Sequence, residues 1–281
     1  MNAIMFATDE NYAPHLGVLL KEITSQSSCF FKFYIMADSL CAGTVTNLKD
    51  CAKGNNVVFL DVSEISEFLP NVDGYISRTT YARLFLDQFD ITEQYILYLD
   101  CDIVVTNDIC LIFETRLDDY VIGAVVSADG VNERIHELGI DPESSYFNAG
   151  VLYIDVDKWK DLNVGQNAIA LLTKRGKKML WKDQDALNLV LERRWKPLPL
   201  EWNCHSHHYR SVLHPLLCHF TGPLKPWHYM CNNSYVDIYK KYKKDTPFAA
   251  MLYPDFTIMN IIKKNIVQPL RRILKCNHTL Y

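Results

Sequence analysis

The chain has 281 residues, 49% hydrophobic and 22% charged, with a net charge of −4. That length and composition suit one large α/β domain with appendages, or two small domains, and exclude disordered and collagen-like classes. The charge is unevenly spread: residues 240–281 hold nine Lys and Arg against Asp245 and Asp255, so the body is acidic, which argues against wholesale nucleic-acid binding.

The opening MNAIMFATDENY lacks a basic stretch followed by a long apolar run. No segment approaches the roughly 18 apolar residues of a spanning helix, so the protein is expected in the cytosol. Nine cysteines with no C-x-x-C pair suggest neither a zinc site nor a disulfide framework; reduced thiols packed as small hydrophobes are expected.

Taken in chain order, the first apolar run is AIMFAT (3–8), which leads into Asp9, Glu10 and Asn11. Tyr12, Leu16, Leu19 and Ile23 then follow the helical period. Further strand-length runs are FKFYIMA (31–37), NVVFLDV (56–62), YILYL (95–99), VIGAVVSA (121–128), GVLYIDV (150–156) and LLCHF (216–220). Tyr81, Leu84 and Gln88 repeat helically, less cleanly, ahead of YILYL, with Arg78 and Arg83 in the same stretch. Apolar strands alternating with helices indicate a mostly parallel sheet covered on both faces, with any ligand beyond the carboxyl ends of the strands. From about residue 229 the pattern changes, which places a soft boundary between 1–228 and 229–281.

Two carboxylates, Asp100 and Asp102, follow YILYL directly. Both cannot be buried and ionised without a partner, because desolvating one anion costs several kcal/mol and a second one nearby repels it. A divalent cation such as Mg²⁺ or Mn²⁺ resolves the conflict, and an imidazole ligand tilts the choice to Mn²⁺. The segment HFTGPLKPWH (219–228) supplies candidate imidazoles in His219 and His228, together with Gly222 and Lys225 to approach a phosphate. In SSYFNAGVLYIDVDKW (144–159), Asn148 and Gly150 are expected at the same sheet edge, and WKDQDALNLVL (181–191) opens a helix with Asp183, Gln184 and Asp185. The plainer alternatives are solvated turn aspartates at 100 and 102, and helix capping at 183–185. The histidine-rich NCHSHHY (203–209) reads as a surface loop rather than a second metal site, and Trp195, Trp202 and Trp227 as core.

The blocks FATDENYAPHLGVLLKEI, TTYARLFL, YILYLDCDIVV, YFNAGVLYIDVDKW, DQDALN and HFTGPLKPWH, in this order, resemble the retaining glycosyltransferases of family 8. The likeness covers about residues 3–228 and is nearest the bacterial lipooligosaccharide and lipopolysaccharide galactosyl- and glucosyltransferases. It implies a GT-A fold, a Rossmann-like, mostly parallel mixed sheet flanked by helices. It also implies a UDP-galactose or UDP-glucose donor held through Mn²⁺, or Mg²⁺ in its place. By the resemblance, Ala7, Asp9 and Asn11 line the uridine site, and Asp100, Asp102 and His219 hold the metal. Cys101 lends its backbone to the ribose region, and Gly222 and Lys225 hold the diphosphate. Arg83, Asn148, Gly150, Asp183 and Gln184 surround the donor sugar. One departure stands out: an acidic residue usually ends the strand GAVVS, but here that position is Ser127 and the carboxylate comes at Asp129.

Transfer with retention needs either a nucleophile opposite the leaving group or a front-face reaction in which the leaving phosphate takes the acceptor proton. An amide such as Gln184 is a poor nucleophile, so the front-face route is favoured, with Asp183 as the alternative. The tail FTIMNIIKKNIVQPLRRILK (256–275) reads as a basic amphipathic helix broken at Pro269, suited to an anionic membrane surface. A lipid-linked or cell-surface glycan is therefore the expected acceptor, reached from the inner face of the cytoplasmic membrane. The competing readings are a glycogenin-like protein glycosylating its own tyrosine and a non-catalytic membrane scaffold.

Overall fold

The computed structural model describes residues 1–63, 78–127, 131–205, 208–209 and 211–267. Its main sheet has seven strands. The parallel half comprises β1 (Asn2–Thr8), β2 (Phe31–Ala37), β3 (Asn56–Asp61) and β4 (Tyr95–Leu99). A long antiparallel strand, β7 (Phe147–Asp155), joins β4 to β6 (Ile122–Val126), and β8 (Trp195–Pro197) runs parallel to β6 at the edge. The order across the sheet is β3-β2-β1-β4-β7-β6-β8. The expected mostly parallel sheet is thus present, with β7 reversed within it.

Alternation along the strands divides the core into two layers. Ala3, Met5, Tyr34, Met36, Ile96 and Tyr98 face one side, while Ile4, Phe6, Phe33, Ile35, Leu97 and Leu99 face the other. Both faces are covered, so these strands read as unbroken apolar runs; each fully buried large side chain contributes roughly 1.5–3 kcal/mol. Helix α1 (Ala13–Gln26) starts with a proline in its first turn, where the missing N–H costs nothing, and buries Leu16, Leu19, Leu20 and Ile23. Helix α2 (Ala42–Cys51) packs beside it and supports the same layer through Leu48 and Cys51.

Several sequence expectations change in detail. Residues 78–88 form 3-10 turns kinked at Phe85, not one α-helix. The run at 216–220 does not join the main sheet: β9 (Leu217–His219) pairs antiparallel with β5 (Ile103–Val105). At three residues each, β5 and β8 are too short to show a period.

The cysteine expectation is corrected at one pair. Cys29 and Cys110 form a disulfide, with Cα atoms 6.3 Å apart, although 81 residues separate them in sequence. Ser28 N–H donates to Asp108 at 3.1 Å and brings the two turns together, a proximity no local spacing reveals. The other described cysteines are free, and all but Cys41 are buried as expected. Among the described residues, no helix is long and apolar enough to cross a membrane.

Candidate active site

The carboxyl ends of β1 and β4 and the amino end of β7 meet at one sheet edge. Reversal of β7 causes this: Leu99 pairs with Val151, and Asp100 N–H donates to Gly150 O at 2.9 Å. The small sheet adds the next piece, because Ile103 pairs with His219 and Phe220 N–H donates to Asp102 O at 3.0 Å. Separate segments of the chain therefore converge on a cavity of about 470 Å³.

At one end of this cleft, His219 Nε2 lies 3.1 Å from Asp102 Oδ1 and 3.8 Å from Asp100 Oδ2. Ligand atoms of the three residues all fall within 4.8 Å of one another, and Asp102 Oδ1 is buried with no hydrogen-bond donor. Two carboxylates and one imidazole, with an orphaned oxygen among them, fit a divalent cation of the oxygen-preferring kind. Gly150 makes room: a Cβ there would stand 2.1 Å from His219 Cε1 and 2.9 Å from Asp100 Oδ2.

Charged neighbours hold the pair in place. Lys225 Nζ donates to Asp102 Oδ2 and to Phe220 O, each at 2.6 Å. Burial works to raise the Asp102 pKa, but Lys225 and His219 outweigh it and keep the carboxyl well below its ordinary range. On the other side, Arg83 Nη2 donates to Asp100 Oδ1 at 2.8 Å and Nη1 donates to Ala149 O, while the guanidinium lies 4.3 Å over the Tyr98 ring. Burial disfavours the Arg83 charge, yet Asp100, Tyr98 and Asp183 together raise its pKa.

The opposite end is built by the helix over Asp183–Val190. Lys182, just before it, takes φ 49° with ψ −120°, a positive-φ conformation that costs a non-glycine residue about 1–3 kcal/mol and turns Asp183 and Gln184 into the cleft. Asp183 Oδ2 lies 3.0 Å from Arg83 Nε, but that N–H is directed at Thr80 O, so Oδ2 has no hydrogen-bond donor. Burial raises the Asp183 pKa to about 6, against the pull of Arg83. Gln184 Oε1 accepts from Ala149 N–H at 3.0 Å and from Asn148 Nδ2 at 3.1 Å. The next carboxylate, Asp185, turns away from the cleft to pair with Arg134 and Tyr146.

Of the residues singled out in the sequence, Ala7, Arg83, Asp100, Cys101, Asp102 and Asn148 line the cavity, as do Gly150, Asp183, Gln184, His219, Gly222 and Lys225. Asp9 and Asn11 stand outside its lining, in the turn before α1, where Asp9 Oδ1 accepts from Tyr12 N–H at 2.9 Å. Ser127 lines the cavity, while Asp129 lies outside the described residues, as do Ser206, His207 and the tail beyond Val267.

The described part of the histidine-rich segment is not a surface loop. Asn203, His205 and His208 are all buried, because this stretch passes behind β9 and Cys204 N–H donates to Leu217 O. Sequence reading also missed Tyr98, Tyr12 and Trp181 in the cleft, and Asn203 behind His219. Only Trp181 carried a local signal, an aromatic just ahead of DQD.

Comparison with known proteins fits this geometry. The model of the family described as glycosyl transferase family 8 matches residues 3–231. The chain belongs to that family. Similar relatives include a lipopolysaccharide 1,2-glucosyltransferase of Escherichia coli K12, 28% identical with 87% of this chain and 78% of that protein covered. General stress protein A of Bacillus subtilis is 25% identical, with 89% and 96% covered. Among solved structures, the galactosyltransferase LgtC with donor and acceptor sugar analogues superposes with a TM-score of 0.79 at 24% identity, over 87% of this chain and 96% of that one. The fold of this family 8 member is therefore GT-A.

Proposed function

We propose that this chain moves a galactose or glucose residue from a UDP-sugar to a hydroxyl of a bacterial cell-surface glycan, with retention at the anomeric carbon. The observation that carries the reading is the convergence of Asp100, Asp102 and His219 beside Lys225 and Arg83 in a family 8 cleft. Asp100, Asp102 and His219 would hold Mn²⁺ or Mg²⁺; when bound, the cation would neutralise charge on the diphosphate as it leaves.

The protein's own groups do the rest. Lys225 adds a positive charge on the same side of the cleft, and Gly222, with no protein atom within 4 Å of an added Cβ, leaves its backbone open to a phosphate. Asp183, in the cleft wall, would accept a hydrogen bond from a sugar hydroxyl, while Arg83 keeps Asp100 and Asp183 in place from behind. Ala7 and Cys101 in the cleft wall receive the nucleoside, with Asp9 and Asn11 beside it in the turn after β1.

Gln184 makes a poor nucleophile twice over: it is an amide, and its oxygen already accepts two hydrogen bonds. This favours the front-face route, in which the acceptor hydroxyl attacks from the side of the leaving phosphate and a phosphate oxygen takes its proton. Asn148 and Gly150 then serve to shape the sugar pocket.

The segment after residue 229 serves attachment. Leu252, Phe256, Ile258, Met259, Ile262 and Ile266 are exposed along a stretch that also carries Lys263 and Lys264. Apolar side chains beside lysines suit the anionic inner face of the cytoplasmic membrane and a lipid-linked acceptor, of the kind named for the lipopolysaccharide glucosyltransferase relative.

The test is release of UDP from a panel of UDP-sugars by the purified protein without acceptor, with Mn²⁺ or with chelator. Mn²⁺-dependent release from UDP-galactose or UDP-glucose is expected. Release unaffected by chelator would overturn the metal assignment, and release from neither hexose donor, with or without added glycan, would overturn the donor assignment.

A further inference from the structure

Behind the proposed cation site runs a chain of side-chain amides whose direction the backbone determines. Asn148 Oδ1 accepts from Gly150 N–H at 3.0 Å, a donor that cannot reverse. The group 2.9 Å away on Asn203 must then be its Nδ2, which donates to the same Oδ1. That orientation leaves Asn203 Oδ1 facing His219 Nδ1 at 3.0 Å. A carbonyl oxygen only accepts, so Nδ1 carries a proton. At the far end, Gln184 Oε1 is fixed in the same way by Ala149 N–H and takes Asn148 Nδ2. Two adjacent N–H groups of β7 thus set the polarity of the whole path from Gln184 to His219.

We infer that Asn203 is a positioning residue: it holds His219 with a proton on Nδ1, so that Nε2, the nitrogen facing Asp100 and Asp102, presents its lone pair to a cation. The inference rests on the cation reading given above. Asn203 is wholly buried and does not line the cleft, so it acts through His219 and Asn148 rather than on substrate. A ligating imidazole depends on such a partner for its tautomer and ring angle, and loss of the partner commonly weakens metal binding about 10- to 100-fold. The same path ties the metal end of the cleft to the amide at its sugar end, so a disturbance at Asn203 reaches both.

The test is Mn²⁺ titration by electron paramagnetic resonance in the presence of UDP, for the wild type, Asn203→Leu and Asn203→Asp. Asn203→Leu, similar in volume but unable to accept, is expected to bind Mn²⁺ about 10- to 100-fold more weakly. Asn203→Asp keeps an acceptor for Nδ1–H and is expected to recover a large part of that loss. Equal Mn²⁺ affinity in Asn203→Leu and the wild type would overturn the inference while leaving the cation reading standing. No Mn²⁺ binding by the wild type would remove both. If Asn203→Leu does not fold, the imidazole ¹⁵N spectrum of the wild type with saturating Mg²⁺ and UDP decides alone. Protonated Nδ1 with unprotonated Nε2 on His219 is expected, and the reverse tautomer would overturn the inference.

Discussion

The cleft and the segment after residue 229 break the usual rule of residue placement in opposite ways. In the cleft, charged groups are buried: Arg83 and Asp183 are 3% and 4% exposed, and each is accompanied by an opposite charge. In the later segment apolar groups are exposed, with Leu252 at 77% and Ile258 at 78%. Buried charge is costly unless paired, and clustered exposed hydrophobes are unusual unless something covers them. The difference teaches that the cleft answers its buried charge with partners of opposite sign from its own chain, whereas the described part of the later segment leaves its apolar side chains exposed.

Breaking the charge arrangement in the cleft should have the largest effect. Asp102→Asn removes a proposed cation ligand and the partner of Lys225, and UDP release should fall roughly 100- to 1000-fold, measured at saturating donor. Gly150→Ala comes next, since its Cβ would collide with the His219 ring; overpacking of this kind costs about 1–3 kcal/mol, and thermal unfolding should shift down while Mn²⁺ affinity falls.

A pH dependence follows from Asp183. Its folded pKa of about 6 lies above the ordinary 3.8, so its stability contribution is present below pH 3.8 and is lost as pH rises through about 6. The melting temperature of Asp183→Asn relative to wild type should therefore rise between about pH 4 and about pH 7; a difference that stays flat or falls would contradict the burial argument. The smallest effect belongs to the later segment. Lys263→Ala should weaken binding to anionic vesicles by about 1 kcal/mol, roughly fivefold, and leave UDP release without acceptor unchanged.

Legibility in the sequence also differed between regions. The four parallel strands showed plainly because they are apolar on both faces, and Asp100 and Asp102 were conspicuous because charge followed YILYL without a break. HFTGPLKPWH could be marked as a source of an imidazole and a cation, but choosing His219 as the ligand took the family resemblance, since it reaches the aspartates by way of a three-residue strand pairing. Asn203 and Tyr98 were not legible at all. Their roles depend on which atom faces which neighbour, across a gap of 55 residues from Asn203 to Asn148 and two residues from Tyr98 to Asp100. An asparagine or tyrosine in an apolar context reads as ordinary packing. The Cys29–Cys110 bridge was hidden for the same reason, its partners meeting only once the sheet had formed.

The central claim is that the half-buried carboxylate pair, Asp100 and Asp102, exists to hold a cation against a nucleotide diphosphate. Anomalous scattering from a crystal grown with Mn²⁺ and UDP addresses it directly. The account predicts one strong Mn peak within coordination distance of Asp100, Asp102 and His219, with the diphosphate beside Lys225. A diphosphate bound in the cleft with no Mn peak at those three residues would contradict it.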